Sequence, residues 1–586
     1  MMGTTRPTTK APTSAAAITE ARSSRSRLSF PEHFRSSRSV VVVLMPVTYL
    51  LLPGSYQVSG GPMPKESNDH LHRLIRSMSR AERRYFKLFA ERHMVGGHSI
   101  HSALFDVIAA QPVPDEAAIR RHFKGAAFLR RYTVTKHRLY DSVLASLEAF
   151  HANGSVEARM RRYLHRIELL HQRGLHADAD RLLGTLRTMA EGAGRASILL
   201  EVMDHERRAM ERAHYAGVTA SDVDRWRAAV AAVHAACEQE NDLWTLKSRA
   251  FMLLYHQGKA RSEADANALR TLLTDPVLVD AARPQHPRGR FQWHHVRSAL
   301  FFALNDLVAC EQELAANEAL MQQAEGCFND DVHLQLSVLS NLAYVRMRLG
   351  RYEEALDGLR RFMRSPALLP TAPSADLEVK VFAMGASLEL AVLSRMGRFD
   401  KAVERLPEMA ARMDELEDHL SPIRKAGLRF QAAWACLGAE RPEEALRWCR
   451  ALLNGRGIES HVEIYVLGRL LNLLLLLETG KNDLLKYDLR NVERYLRAHG
   501  RDHAVEQALL HYIRTCIKRG QGADRKAAAV LHHALAALEG QPMEEAAFDH
   551  FDPVCYALSR AQGVPMAQAA RERTVLPSGG QGRNAA

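Results

Sequence analysis

Three side chains within five residues come nearest to a reactive constellation in this sequence. In FDHFD, residues 548–552, Asp549 and Asp552 flank His550, and a carboxylate beside an imidazole can pass protons. No Gly-rich turn or nucleophile motif marks a pocket around them, so a structural cluster is the plainer reading. Histidine is abundant, with 28 in 586 residues, and adjacent pairs such as His294–His295 and His532–His533 arise by chance at that density. Neighbouring helical residues point about 100° apart, so neither pair converges on one metal ion without outside ligands. ETGKND, residues 478–483, holds Gly480-Lys481 but lacks the upstream glycine of a phosphate-cradling loop. Walker A, His-Glu-x-x-His, Gly-x-Ser-x-Gly and a dinucleotide fingerprint are all missing from the sequence. The expectation is a non-enzymatic chain with no catalytic residue, no cofactor and no metal.

Cysteine and charge narrow the field further. Seven cysteines are scattered without a Cys-x-x-Cys pair, which fits neither a disulfide framework nor a zinc site and reads as small buried residues in a reducing compartment. The formal charge of +12 is uneven: residues 1–62 carry +5, residues 63–150 carry +6, and the remainder only +1. The high pI therefore does not describe a basic body. Arg130, Arg131, Lys136, His137 and Arg138 form a candidate basic patch that a helix-turn-helix would bring to a major groove. The stretch from Phe123 to Thr133 is longer than the turn of that motif, and a wet basic face on a helical cap is the plainer reading.

The elements that must position such residues are helices. Ala, Leu, Arg and Glu dominate, side chains that lose little freedom in a helix, and alternating β-branched runs are nearly lacking. The first 62 residues are rich in Ser, Thr, Arg and Ala and cannot bury a core. Within them, Val40 to Leu52 is an apolar run broken by Pro46, too short to span a bilayer. It reads either as a signal h-region, which would mean export, or as part of a disordered leader upstream of a true start at Met63; the second reading, with a cytoplasmic location, is preferred. Residues 64–150 form a basic helical module. There SRAERRYFKLFAERH opens on a capping box, Ser79 to Glu82, and Tyr85, Phe86, Leu88 and Phe89 supply an apolar stripe. Val134, Leu139, Val143, Leu144 and Leu147 are expected to face inward on a later helix.

Residues 156–540 read as an array of helix pairs. SNLAYVRMRLGRYEEALDGLRRFMRSP places Leu342 and Ala343 on one helix, Leu349-Gly350 at its end, and Tyr352, Ala355 and Leu359 on the next. Gly350 supplies a left-handed helix end, and Ala343 and Ala355 allow close approach of two antiparallel helices. Gly397, Phe399 and Ala402 repeat the pattern; Ala445 repeats it after a longer turn; Gly480 begins a worn copy, and Gly174 with Ala179 an upstream one. From Ala355 to Ala402 is 47 residues and from Ala402 to Ala445 is 43, longer than the usual 34-residue unit. The apolar run in LLNLLLLLETG is core, since it is too short to cross a membrane.

This pattern resembles the tetratricopeptide repeat. The resemblance implies an all-α fold, an α-solenoid of antiparallel helix pairs whose concave face takes a peptide or partner helix, with Asn341, Arg346 and Arg348 as candidate contacts. RAERRYFKLFAERH, FLRRYTVTKHRLYDSVLASL, the array and FDHFDPVCYALSRAQGVP together are similar to a group of long bacterial helical proteins over roughly residues 64–566, a likeness that carries no activity across. Pro/Gly-rich loops are expected at 273–291 and in RSPALLPTAPSAD, residues 364–376. Residues 541–570 are expected to cap the array and 571–586 to form a disordered tail. The favoured function is a protein-interaction scaffold; the alternative is a regulator that binds DNA through residues 64–150 and senses a partner through the array.

Overall fold

A computed structural model describes residues 69–575 apart from 93–99, 258, 261–262, 281–285, 330, 366–374, 418, 500, 502, 521 and 542–543. The expected leader, most of the loop at 364–376 and the last residues of the tail lie outside the described residues. Among the described residues all regular structure is helical. The fold is all-α, and no described helix is long and apolar enough to cross a membrane.

The N-terminal module is built from α1 (His70–Ser77), α2 (Arg80–Arg92), α3 (Ile100–Ala110), α4 (Glu116–His122) and α5 (Tyr132–Phe150). The capping box closes in both directions: Glu82 N donates to Ser79 Oγ at 3.3 Å and Ser79 N to Glu82 Oε2 at 2.6 Å. Phe86 stacks on Phe105 at 4.5 Å between ring centres, inside a core that also holds Ile75, Leu104, Ile119, Leu139 and Val143. Three residues expected inside are outside. Leu88 is 51%, Val134 48% and Leu144 40% exposed, because the buried stripes run through Phe86 and Ala90 on α2 and through Tyr132, Leu139 and Val143 on α5.

The array continues with α6 (Val156–Gln172), α7 (His176–Ala193), α8 (Ala196–Arg212), the 38-residue α9 (Ala220–Gln257), α10 (Glu263–Leu273) and α11 (Pro276–Val279). Then follow α12 (Pro287–Ala303), α13 (Leu307–Gln323), α14 (Glu325–Phe328), α15 (Val332–Arg348), α16 (Tyr352–Arg364), α17 (Ala375–Arg395), α18 (Phe399–Glu404) and α19 (Leu406–Glu415). The last part is α20 (Pro422–Gly438), α21 (Pro442–Leu453), α22 (Val462–Glu478), α23 (Asn482–Ala498), α24 (Ala504–Arg519), α25 (Arg525–Leu538), α26 (Glu545–His550), α27 (Pro553–Gln562) and α28 (Met566–Val575). The loop expected at 273–291 is shorter than its Pro/Gly content suggests, since Pro276 and Pro287 each open a helix, where a missing N–H costs nothing. Residues 571–575, expected in the tail, belong to α28.

Among the described residues six hairpins combine one turn with a buried side chain five positions on: α6–α7, α12–α13, α15–α16, α17–α18, α20–α21 and α22–α23. A left-handed residue ends each first helix, namely Gly174, Asn305, Gly350, Gly397, Glu440 and Gly480. The next N–H then returns to the carbonyl five residues earlier: Leu175 to Leu170, Asp306 to Phe301, Arg351 to Arg346, Arg398 to Leu393, Arg441 to Cys436 and Lys481 to Leu476, all at 2.8–3.0 Å. This bond satisfies a carbonyl the helix end would otherwise leave open. Five residues past each left-handed position stands a buried side chain, Ala179, Cys310, Ala355, Ala402, Ala445 or Leu485, where the two helices approach. The last five turns recur at intervals of 45, 47, 43 and 40 residues. The turn before Ala445 is not longer than the others: Gly438 lies inside α20, and Glu440 takes the left-handed position. Gly438 is needed for another reason, since a Cβ there would stand 2.2 Å from the Phe399 ring. First helices also meet one another: α15 packs on α17, α17 on α20, α20 on α22 and α22 on α24.

Candidate functional site

The FDHFD segment does not stand at the end of the array. It returns along the layer of first helices, and residues far apart in the chain hold it there. The Asp549 side chain, 1% exposed, is 3.6 Å from Lys259 Nζ, accepts a hydrogen bond from Tyr344 Oη at 2.6 Å and pairs with Arg348. Tyr344 and Arg348 sit one turn apart on α15, so both reach the same carboxylate. Lys259 itself lies 4.8 Å above the Phe302 ring and donates to Asn305 Oδ1 at 3.2 Å. Arg395 on α17 donates to the Phe548 carbonyl, and Gln431 Nε2 on α20 donates to the His550 carbonyl at 2.8 Å.

Between α26 and α27 the backbone is extended at Phe551. Its buried ring meets Phe430 at 5.7 Å and Trp434 at 5.0 Å, both edge-on and one turn apart on α20. Asp552 caps α27 by accepting from Cys555 N at 2.9 Å, and its other oxygen accepts from Arg573 Nε at 3.0 Å. Farther along, Tyr556 Oη and Arg560 Nε both donate to Glu478 at 2.7 Å. Gly397 admits the last helix: a Cβ there would stand 2.4 Å from the Ala567 carbonyl.

The acid–base reading of Asp549, His550 and Asp552 dissolves in this geometry. Asp549 faces Arg348 and Lys259, and Asp552 faces Arg573, while the His550 ring lies edge-on to Phe430 at 6.2 Å. Burial lowers the His550 pKa, only partly opposed by Glu463, so the ring is neutral and packed. Beside it, Arg501 bridges Glu463 at 3.0 Å and Glu506 at 2.6 Å; burial raises the Glu506 carboxyl, whereas at Glu463 the guanidinium outweighs burial and lowers it. Glu544 accepts from Ala504 N and Val505 N, each at 2.9 Å, and so caps α24.

The other histidine and glycine signals separate as well. His294 Nδ1 is 2.7 Å from Glu313, while His295 lies between Phe251 and Phe291 with its pKa pulled to about 4 by burial and by nearby Lys247. Gly480 is a hairpin turn and Lys481 pairs with Glu443 at 2.7 Å. Among the described residues no group of three or more His, Cys, Asp or Glu side chains is arranged to hold a metal ion. Burial raises the thiols of Cys310, Cys436 and Cys449 to about 12, which leaves them unreactive.

The chain matches no family model, no curated protein and no solved structure.

The residues expected to meet a partner are either buried or paired within the chain. Asn341 is buried, Arg346 pairs with Glu311 at 3.2 Å and Glu354 at 3.5 Å, and Arg348 holds Asp549. Sequence spacing placed them on the first helix correctly but could not show that the chain's own C-terminal segment lies across that helix. In the basic patch, Lys136 is paired with Asp69 at 2.7 Å, whereas Arg130, Arg131 and Arg138 are exposed. The packing residues Ala343, Ala355, Phe399, Ala402 and Ala445 are buried and Tyr352 half-buried, with Gly350 and Gly397 at the turns. Missed from sequence were Asn305 and Glu440 as turn residues. Asn305 carried a signal, because Asn tolerates the left-handed conformation better than most residues; Glu440 carried none.

Proposed function

We propose that the chain is a non-enzymatic interaction scaffold, its hairpins stacked as a solenoid similar to a tetratricopeptide array, with a peptide or partner helix as its ligand. The recurrent turn and the contacts between successive first helices support the stacking. The observation that carries the binding role is how the inner layer treats residues 548–552. Arginine and lysine meet a carboxylate, two aromatic rings clasp a third, and Arg395 and Gln431 read main-chain carbonyls. Those are the elements of recognition for an aromatic, acidic peptide.

From α15 to α22 that layer is filled by the chain itself, so a partner takes the earlier part. Before Leu243, α9 contributes no fully buried residue, and Val223, Trp226, Val230, Val233 and Cys237 recur at three- and four-residue spacing on one side, all but Val223 half-buried. This is a face that a partner helix completes. Photo-crosslinking residues placed at Val223 and Val230 of the full chain, expressed in its native cell, should give discrete adducts that a control at Arg360 on α16 does not. Adducts no stronger than the control would count against the reading.

A further inference from the structure

A second surface lies on the other layer, on the second helices near the C-terminal end, and its chemistry differs from that of the hairpins before it. On α16 to α19 and the turn between them, four arginines meet carboxylates and, among the described residues, Arg364 alone of the exposed arginines does not: Arg361 pairs with Glu318, Arg398 with Glu353 at 2.6 Å, Arg405 with Glu389 at 3.6 Å and Arg412 with Glu378 at 3.2 Å. On α23 they do not. Lys486, Arg490, Arg494 and Arg497 are exposed, and among the described residues none has a carboxylate partner; Arg494 donates to Asn491 Oδ1, and Arg497 to the carbonyl of Glu493. Their spacing of four, four and three residues keeps all four within one sector of the helix, strung over roughly 16 Å at 1.5 Å per residue.

The neighbouring second helix extends the field. Helices α21 and α23 both pack on α22, and the Lys481–Glu443 pair ties their first turns together. Arg447 and Arg450 of α21 are exposed as well, and neither has a carboxylate partner among the described residues. Tyr487, adjacent to Lys486, is 59% exposed, an aromatic ring open to solvent inside a cationic field.

We propose that the outer face of α23, flanked by α21, binds single-stranded nucleic acid. Unpaired guanidinium groups suit phosphodiester oxygens, and an exposed ring among them offers a stacking platform for an unpaired base. An acidic polypeptide would satisfy the cations but leave the ring without a use, and a duplex keeps its bases from it. The proposal is independent of the scaffold reading and of the N-terminal basic patch.

The test is fluorescence anisotropy of a labelled oligothymidylate with the full chain at about 50 mM salt, where phosphate contacts are strong. Binding is expected, with log K falling against log salt at about −0.7 per phosphate contact, and hence about −3 for the four cations of α23. The double variant R490Q/R494Q should weaken binding at least tenfold and flatten the slope by about 1.4. Tyr487→Ala should weaken it roughly fivefold or more, the loss of one stacked base. These side chains are exposed, so an unchanged melting curve verifies folding. Three results would overturn the proposal: no binding at low salt, binding reduced by changing Arg130, Arg131 and Arg138 but not by R490Q/R494Q, or equal competition by polyglutamate together with indifference to Tyr487→Ala.

Discussion

Removing Asp549 from water costs solvation that its partners Tyr344, Arg348 and Lys259 restore, and all three lie more than 200 residues earlier in the chain. Asp549→Asn keeps the shape and removes the buried carboxylate that Arg348 and Lys259 share. Breaking a buried ion pair from one side typically costs about 3–5 kcal/mol, so urea unfolding of this variant should show a loss of that order, while Arg130→Ala, an exposed change, stays within about 0.5 kcal/mol of the parent. A loss below about 1 kcal/mol would mean that the carboxylate does not lock the returning segment. Nothing in the local sequence announces this bond. FDHFD looked reactive because acids and an imidazole stood close in sequence, but side chains on a short helix and the extended residue after it point to different neighbours. Arg348 looked available because a polar residue on a packing helix normally faces water; here it faces Asp549.

At the scale of the hairpin, the pattern of Leu-Gly, an aromatic and a small residue made four of the six turns legible, because glycine is the residue that takes a positive φ without strain. The turn at Asn305 was harder to read, since asparagine favours a positive φ less strongly than glycine, and the turn at Glu440 could not be read, since glutamate has no such preference. Gly350 and Gly397 separate the two demands a turn can make. A Cβ at Gly350, where φ is +77°, meets nothing within 4 Å, so Gly350→Ala should cost only the left-handed conformation, roughly 1–2 kcal/mol. At Gly397 the same Cβ also runs into the Ala567 backbone, so Gly397→Ala should cost more and loosen α28 first. Hydrogen exchange would resolve the two: α28 amides should lose protection in Gly397→Ala and keep it in Gly350→Ala. Equal behaviour would show that the close approach of α28 does not matter. At the N-terminal module, Ser79→Ala removes the side-chain acceptor of the capping box and should cost about 1 kcal/mol.

Over the whole molecule, the all-α fold was readable from composition and periodicity, whereas the packing of the C-terminal segment across α15, α17 and α20 was not, because it depends on contacts across some hundreds of residues that no local pattern encodes. The fold also takes histidines out of water at many separate places, and this gives the molecule a common acid response. Burial lowers the pKa of His101, His171, His205, His286, His333, His461, His532 and His550 in the folded chain, and brings His295 to about 4. An unfolded histidine takes its proton near pH 6.5. As pH falls below that value the unfolded chain binds protons that the folded chain refuses, so stability declines until the folded pKa is reached. For His295 alone the decline between about pH 6.5 and 4 is on the order of 3 kcal/mol, at 1.36 kcal/mol per pKa unit. Glu240 and Glu506, whose carboxyls are raised by burial, act in the opposite sense over the lower part of this window, but they are two against nine. The urea midpoint should therefore fall clearly between pH 7.5 and 5, and His295→Phe, which keeps an aromatic ring between Phe251 and Phe291, should show a shallower fall than the parent. A midpoint indifferent to pH over that range would mean that the buried histidines are not held neutral by the fold.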